Sequence, residues 1–135
     1  MSALQRFVDA QEGIYATALA ELKAGRKRTH WMWFVFPQMR GLGFSSNAQF
    51  YGIASLDEAR DYLAHEVLGP RLRECTQAVL DVQGQSLEAI LGGVDAQKFR
   101  SSMTLFLRAS GEAIFREALD RYCGGIEDER TVVLL

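Results

Sequence analysis

Apolar residues recur every three or four positions along most of this chain, and glycine or proline closes each such run. The first run extends from Leu4 to Leu22 and is followed by Gly25. This spacing places the apolar side chains on one face of a helix, and glycine is common just after a helix C-terminus. The pattern therefore predicts a single first helix over about residues 3–24, which Gly13 weakens only slightly.

Helix start and stop signals divide the rest of the chain in the same way. Ser55 and Glu58 have the spacing of a capping box, in which a serine oxygen and a glutamate carboxylate satisfy free backbone amides. Pro70 suits the first position of a helix, and Asp95 is a favourable N-cap. Residues 131–135 form a tail that we expect to dock on the core. The later helices are predicted over about residues 55–65, 70–84, 86–91, 95–109 and 112–124.

Residues 31–36 form a dense apolar run that Pro37 ends, and periodicity does not separate helix from strand there. We favour a short buried helix, because no clearly alternating partner strand is visible elsewhere and a lone strand would leave its backbone groups unpaired. The expected fold class is all-α. It is a compact single-domain multihelical bundle of about six helices, spanning residues 1–135.

Composition and charge limit the function classes. With 48% hydrophobic and 24% charged residues, the chain of 135 residues has globular proportions. Its net charge of −2 argues against nucleic acid as the main partner, because phosphate neutralisation needs a basic face. No run has the length of a membrane span, and Cys75 and Cys123 lack the spacing of a metal site. We therefore expect a cytoplasmic protein with no membrane partner, no metal and no cofactor.

Residues 25–38 place three cations and a histidine beside two tryptophans. Guanidinium groups bind phosphate in a bidentate way and indole faces stack on planar rings, so this segment is suited to an anionic, planar ligand. An alternative interpretation is a core helix entered from a solvated basic turn. The candidate ligand-binding residues of the segment are Arg28, His30, Trp31 and Trp33.

Two further groups of side chains complete the predicted site. Lys98, Ser101 and Ser102 share one face of a predicted helix, near whose start ammonium, hydroxyl and amide groups could converge on a phosphate. The competing interpretation is that serines in helices bond back to their own backbone. Gln38 and Tyr51 are polar residues of a long turn-rich loop and could contribute to the same site.

Several long blocks of the sequence resemble one known family, the domain-of-unknown-function 1810 family. The blocks are Gly-Arg-Lys-Arg-Thr-His-Trp-Met-Trp-Phe-Val-Phe-Pro-Gln at 25–38, Tyr-Gly-Ile at 51–53, Glu-Ala-Arg-Asp-Tyr-Leu at 58–63, Leu-Gly-Pro-Arg-Leu at 68–72 and Lys-Phe-Arg-Ser-Ser-Met-Thr-Leu-Phe at 98–106. The resemblance extends over nearly the whole chain. The resemblance implies a compact multihelical fold in an intracellular protein, and it implies no established reaction.

The chain is also distantly similar to the NAD- and ADP-ribose-associated hydrolase family. The similar elements are the lysine-led helix at Lys98 and Phe99 and the aromatic segments near a tryptophan. The order of motifs differs, and the catalytic acid of such an enzyme has no identifiable counterpart here. This similarity therefore assigns no catalytic residue.

Three functional hypotheses follow. The first is a pocket that combines the two polar segments and binds a phosphorylated or nucleotide-like small molecule. The second adds hydrolysis of an ADP-ribosyl or N-glycosyl bond, with His30 as a proton carrier because imidazole titrates near neutral pH. The third is a protein-interaction module that uses residues 31–36 as an exposed anchor, for a partner that the sequence does not identify. Catalytic residues stay unassigned.

Overall fold

Helices make up about two thirds of the described residues, and turns and longer loops join them. The computed structural model describes residues 3–135, and within that range it has ten helices and no strand. The helices are α1 Gln5–Gln11, α2 Tyr15–Lys23, α3 Met32–Val35, α4 Ser46–Phe50, α5 Leu56–Ala64, α6 Leu68–Asp81, α7 Leu87–Leu91, α8 Gly93–Ser110, α9 Ala113–Cys123 and α10 Glu129–Leu134. The all-α prediction is confirmed. The predicted number of about six is too low, because Gly13 divides the first predicted helix and short helices also form in the predicted loop and tail, at α4 and α10.

The prediction of one helix over residues 3–24 is wrong at Gly13. This glycine has a φ of +76°, in the left-handed region that a helix interior does not use, and Glu12 before it is extended. The break separates α1, which packs against α3, from α2, which packs against α6. With this break, Phe7 and Leu22 are both fully buried in one core.

The predicted serine cap is observed at the start of α5, while the glutamate of the capping box binds the amide of Ala54 instead of that of the N-cap residue Ser55. The Ser55 hydroxyl accepts a hydrogen bond from the Glu58 amide at 3.1 Å, and the Glu58 carboxylate accepts one from the Ala54 amide at 3.0 Å. The prediction of Asp95 as the N-cap of α8 is wrong. That helix already begins at Gly93, so Asp95 lies in its first turn rather than at its N-cap.

The junction of α5 and α6 depends on a close approach at Gly69. Helix α6 begins at Leu68 rather than at Pro70, and Gly69 faces the end of α5. A Cβ on Gly69 would overlap the carbonyl oxygen of Leu63 and lie 3.0 Å from its carbonyl carbon. Glycine is therefore required at this contact, because backbone atoms cannot move aside as the end of a side chain can.

Helix α8 is the central helix of the core. It packs against α5, α7, α9 and α10, and its predicted apolar stripe of Phe99, Met103 and Phe106 is fully buried. The ring of Phe99 lies 5.0 Å from that of Phe36, and the ring of Phe106 lies 5.4 Å from that of Tyr62. The buried body of α8 thereby fixes the position of its N-terminus, which lies at the surface.

Two shorter segments pack on this core. Residues 31–36 contain the predicted short helix, α3, and Trp31 and Phe36 at its two ends are fully buried. The predicted docking tail is a helix, α10, which packs on α8 and buries Thr131. No helix within residues 3–135 is long and apolar enough to cross a bilayer.

Candidate functional site

Residues 24–31 join α2 to α3 and form the basic turn, which is bound to Glu21 of α2. Its carboxylate accepts hydrogen bonds of 2.7–3.1 Å from the amides of Arg28 and Thr29, the Thr29 hydroxyl and the Trp31 indole N–H. Partial burial by itself would raise the pKa of Glu21, but these hydrogen bonds to the charged form outweigh it and lower the pKa to about 2. The turn is therefore fixed to α2 before the chain enters α3.

Lys27 and Lys98 meet at Asp95. The Nζ of Lys27 lies 2.8 Å from one carboxylate oxygen of Asp95, and the Nζ of Lys98 lies 3.6 Å from the other. Each ammonium group also lies over an indole ring. Lys27 Nζ is 5.1 Å from a ring centroid of Trp31, and Lys98 Nζ is 4.6 Å from one of Trp33. One carboxylate and two tryptophans thus hold two cations that are far apart in sequence.

These groups border an open cleft of about 370 Å³ beside the start of α8, which we call the α8 cleft. Its lining residues are Lys27, His30, Met32, Trp33, Leu91, Gly92, Gly93, Val94, Asp95 and Lys98. The N-cap residue of α8 is Gly92, which has no side chain to bind the first-turn amides, and these amides have no partner within the helix. Since the helix dipole places partial positive charge there, the cleft has the chemistry of an anion site.

Of the four site residues predicted within residues 25–38 near the tryptophans, Arg28 and Trp31 do not line the α8 cleft. Trp31 is fully buried and donates its indole N–H to Glu21, so its ring belongs to the core. Arg28 is exposed, and it is its backbone amide that binds Glu21. The sequence left open whether Trp31 lies in a ligand site or in the core, and the structure places it in the core.

Ser101 and Ser102 lie in the core, with exposed fractions of 1% and 0%, and are not part of the cleft. The Ser101 hydroxyl donates to the carbonyl of Gln97 at 3.1 Å. This is the hydrogen bond to the helix's own backbone that the alternative interpretation of the sequence predicted. The hydroxyl of Ser102 is buried and has no hydrogen-bond partner within residues 3–135. Of the three side chains predicted on α8, Lys98 alone lines the cleft.

Gln38 and Tyr51 line a different cavity, of about 10 Å³, which Trp33 also borders. A cavity of this size holds at most about one water molecule. The Tyr51 ring packs 5.4 Å from that of Phe34, and the Gln38 carbonyl accepts a hydrogen bond of 2.8 Å from the Ile53 amide. The structure therefore does not bring these two residues into the α8 cleft.

A family model described as "Protein of unknown function (DUF1810)" matches residues 1–135. The chain belongs to the DUF1810 family. A solved structure, that of the conserved hypothetical protein Rv1873 from Mycobacterium tuberculosis, is 58% identical to it and gives a TM-score of 0.97. The match covers 98% of this chain and 95% of that one. A comparison with curated proteins gives no match. The family and the fold are thus shown, and neither similarity names a ligand or a reaction.

In this DUF1810 protein, the sequence-based prediction missed Lys27 and Asp95 as partners of Lys98. Asp95 and Lys98 are three residues apart on one helical face, which is a signal that the sequence contains. The local sequence does not indicate the contact of Asp95 with Lys27, because the two residues are far apart along the chain and meet only where the α2–α3 turn lies beside the start of α8. Two of the predicted side chains, His30 and Trp33, line the same cleft as Lys98.

Proposed function

We propose that the α8 cleft binds a phosphorylated or nucleotide-like small molecule. The observation that carries this proposal is the position of Lys98 Nζ, 4.6 Å over the Trp33 ring and beside the uncapped start of α8. An ammonium group at that place offers charge to a phosphate, and an indole offers a flat surface to a planar ring.

The charge of the cleft supports an anionic ligand. Lys27 and Lys98 carry two positive charges against the single negative charge of Asp95, and the start of α8 adds the positive end of the helix dipole. Gly92 and Gly93 leave open space beside their Cα atoms, so no side chain blocks a phosphate from the first-turn amides. Asp95 holds both amines in place, which lowers the ordering entropy that binding would cost.

The size of the cleft supports a small molecule. Its volume of about 370 Å³ lies in the lower part of the range of roughly 300–1,000 Å³ that is typical of small-molecule sites. The exposed His30 at its border can donate a further hydrogen bond to an anion. A cytoplasmic location remains a prediction, supported by two free cysteines, Cys75 and Cys123.

The two other hypotheses have less support. For hydrolysis, the carboxylate that lines the cleft is Asp95, which is engaged by two lysines and acts as a positioning group for them. For an interaction module, Trp31 and Phe36 of the expected anchor over residues 31–36 are fully buried, so neither ring is available to a partner. Binding without an assigned reaction is therefore the function that we propose.

Titration calorimetry with ADP-ribose, AMP and pyrophosphate tests the proposal. We expect the Lys98→Gln variant to bind each compound about tenfold more weakly than the wild type, because one charge-assisted contact is lost. The matched control is Lys23→Gln. Lys23 is an exposed lysine of α2 that does not line the cleft, so its replacement should leave the affinities unchanged.

A second variant separates the two parts of the ligand. Trp33→Leu removes the flat surface but keeps both lysines, so it should weaken AMP and ADP-ribose while leaving pyrophosphate nearly unaffected. Equal affinities of the wild type and Lys98→Gln would contradict the proposal. So would the failure of all three compounds to bind the wild type.

A further inference from the structure

A second cleft opens where Gly13 breaks the chain between α1 and α2, and we call it the α1–α2 cleft. It has a volume of about 490 Å³, and Gln11, Tyr15 and Arg71 are among its lining residues. It shares no lining residue with the α8 cleft. The sequence predicted no functional role for these side chains, since α1, α2 and α6 bring them together only in the fold.

Arg71 is held in this cleft by neutral groups. Its Nη1 donates to the side-chain oxygen of Gln11 at 3.2 Å, and its guanidinium carbon lies 4.6 Å from the centroid of the Tyr15 ring. Gln11 is only 2% exposed, and its Nε2 donates to the Phe34 carbonyl at 2.7 Å and to the Tyr62 hydroxyl at 3.2 Å. The guanidinium plane is therefore oriented by a buried amide and by an aromatic ring.

The Nε and Nη2 groups of Arg71 are left open by these contacts. Within residues 3–135 they have no hydrogen-bond acceptor, and no carboxylate there forms an ion pair with Arg71. In the same range, the buried polar side-chain atom that lacks a partner is the hydroxyl of Ser102. The two donors of Arg71 are therefore accessible to solvent rather than buried without a partner.

Two other arginines of this chain show which group fits that edge. Arg73 binds the carboxylate of Glu112 through Nε and Nη2, at 2.7 and 2.9 Å. Arg108 binds the carboxylate of Glu127 through the same two atoms, also at 2.7 and 2.9 Å. A carboxylate is planar and presents two oxygens that match the guanidinium fork. Arg71 has the same edge free in a cleft.

We propose that the α1–α2 cleft is a second binding site, in which Arg71 takes the carboxylate of a small organic acid. Helix α2 begins at Tyr15 without a side-chain cap, so its first amides add donors beside the same cleft. Val8 and Val67 supply an apolar surface for the body of the acid. This site stands independently of the function proposed for the α8 cleft.

The surrounding charges favour a carboxylate over a phosphate. Glu12 lines the cleft and is exposed, and Glu74 accepts a hydrogen bond from the hydroxyl of Tyr15. Arg71, Glu12 and Glu74 together have a local charge of −1, which opposes a phosphate dianion about twice as strongly as a carboxylate with a single charge. The cleft therefore fits an acid with one negative charge.

An NMR titration of the full chain tests this site, with amide proton–nitrogen spectra and phenylacetate as the probe. We expect phenylacetate to shift the resonances of residues 11–17 and of the Arg71 side chain in a saturable way. Phenylacetamide has nearly the same shape without the charge, and inorganic phosphate has charge without the planar group. Both should bind there about tenfold more weakly than phenylacetate.

Two variants probe the role of Arg71 and its surroundings. Arg71→Lys keeps the charge but removes the fork, so phenylacetate should bind about tenfold more weakly. Its control is Arg116→Lys, an exposed arginine of α9. Because Arg71→Lys also removes the bond to Gln11, Glu12→Gln gives a second test at an exposed position. Loss of that negative charge should tighten phenylacetate binding about threefold.

Several outcomes would overturn the proposal. They are the absence of a saturable shift, equal binding of phenylacetate and phenylacetamide, unchanged binding by Arg71→Lys, and weaker binding by Glu12→Gln. Glu117→Gln, an exposed carboxylate of α9, is the control for the last of these. Because the shifts are measured at residues 11–17, a failure of ligand binding in the α8 cleft would leave this result unaffected.

Discussion

The indole N–H of Trp31 donates to a carboxylate oxygen of Glu21 at 2.9 Å, which joins a buried ring to helix α2. Three further hydrogen bonds reach the same carboxylate from Arg28 and Thr29. Glu21 therefore fixes the path of the basic turn. In this arrangement the turn presents the ammonium group of Lys27 to the start of α8 and keeps Trp31 in the core.

The first prediction concerns the stability that Glu21 provides. The variant Glu21→Gln should unfold with a free energy lower by roughly 1–2 kcal/mol at about pH 7. The pKa of Glu21 is about 2 in the fold, against an ordinary value of 4.5. This contribution to stability is therefore fully present above about pH 4.5, and it is lost as the pH falls through about 2. Because the carboxylate is partly exposed to solvent, this contribution to stability is smaller than the free energy that the full pKa difference would give.

Urea unfolding between about pH 7 and pH 2.5 measures this contribution. The difference between the wild type and Glu21→Gln should shrink steadily below about pH 4.5. Glu117→Gln, at an exposed position of α9, should equal the wild type throughout. A difference that stays constant over this range would attribute the effect to the shape of the side chain instead of its charge.

The second prediction concerns the contact between α5 and α6. Gly69→Ala should lower the free energy of unfolding by about 1–3 kcal/mol or more, because its Cβ would overlap the backbone of Leu63. The matched control is Gly93→Ala, at the first position of α8, where an added Cβ meets nothing within 4 Å. That variant should be neutral or more stable by up to about 1 kcal/mol. Equal effects of both replacements in thermal unfolding would contradict the steric explanation.

Local signals in the sequence predicted most of the helices, because caps and stops act within a few residues. The serine cap at Ser55 is an example, and it is observed as predicted. The break at Gly13 was not predicted, since a glycine inside a helix costs only about 1 kcal/mol. The packing of α1 on α3 and of α2 on α6 decides that position, and this packing has no local signature.

The candidate sites were predictable to a smaller extent. The run of cations and aromatics indicated Trp33, and the helical face of α8 indicated Lys98. Whether a tryptophan faces the core or a cleft depends on its partners, and Trp31 has Glu21 as a partner. Arg71 contacts a glutamine 60 positions away, on another helix, so periodicity and spacing contain no information on that pair.

The last prediction follows from the position of Asp95 between Lys27 and Lys98. Asp95→Asn removes a negative charge beside the two ammonium groups, so pyrophosphate should bind about threefold to tenfold more tightly at low salt. The gain should decrease as salt is added, since screening weakens it. The variant should also be less stable, because the Lys27 side chain is only 8% exposed and loses its ion-pair partner.

Calorimetric titrations at two salt concentrations measure this effect, with Asp57→Asn as the control. Asp57 forms an exposed ion pair with Arg60 and does not line the α8 cleft, so its replacement should change neither the affinity nor its salt dependence. If Asp95→Asn binds pyrophosphate more weakly, then Asp95 helps binding more by holding the two amines in position than it hinders binding by its negative charge. In that case, preorganisation rather than net charge would determine anion binding in the α8 cleft.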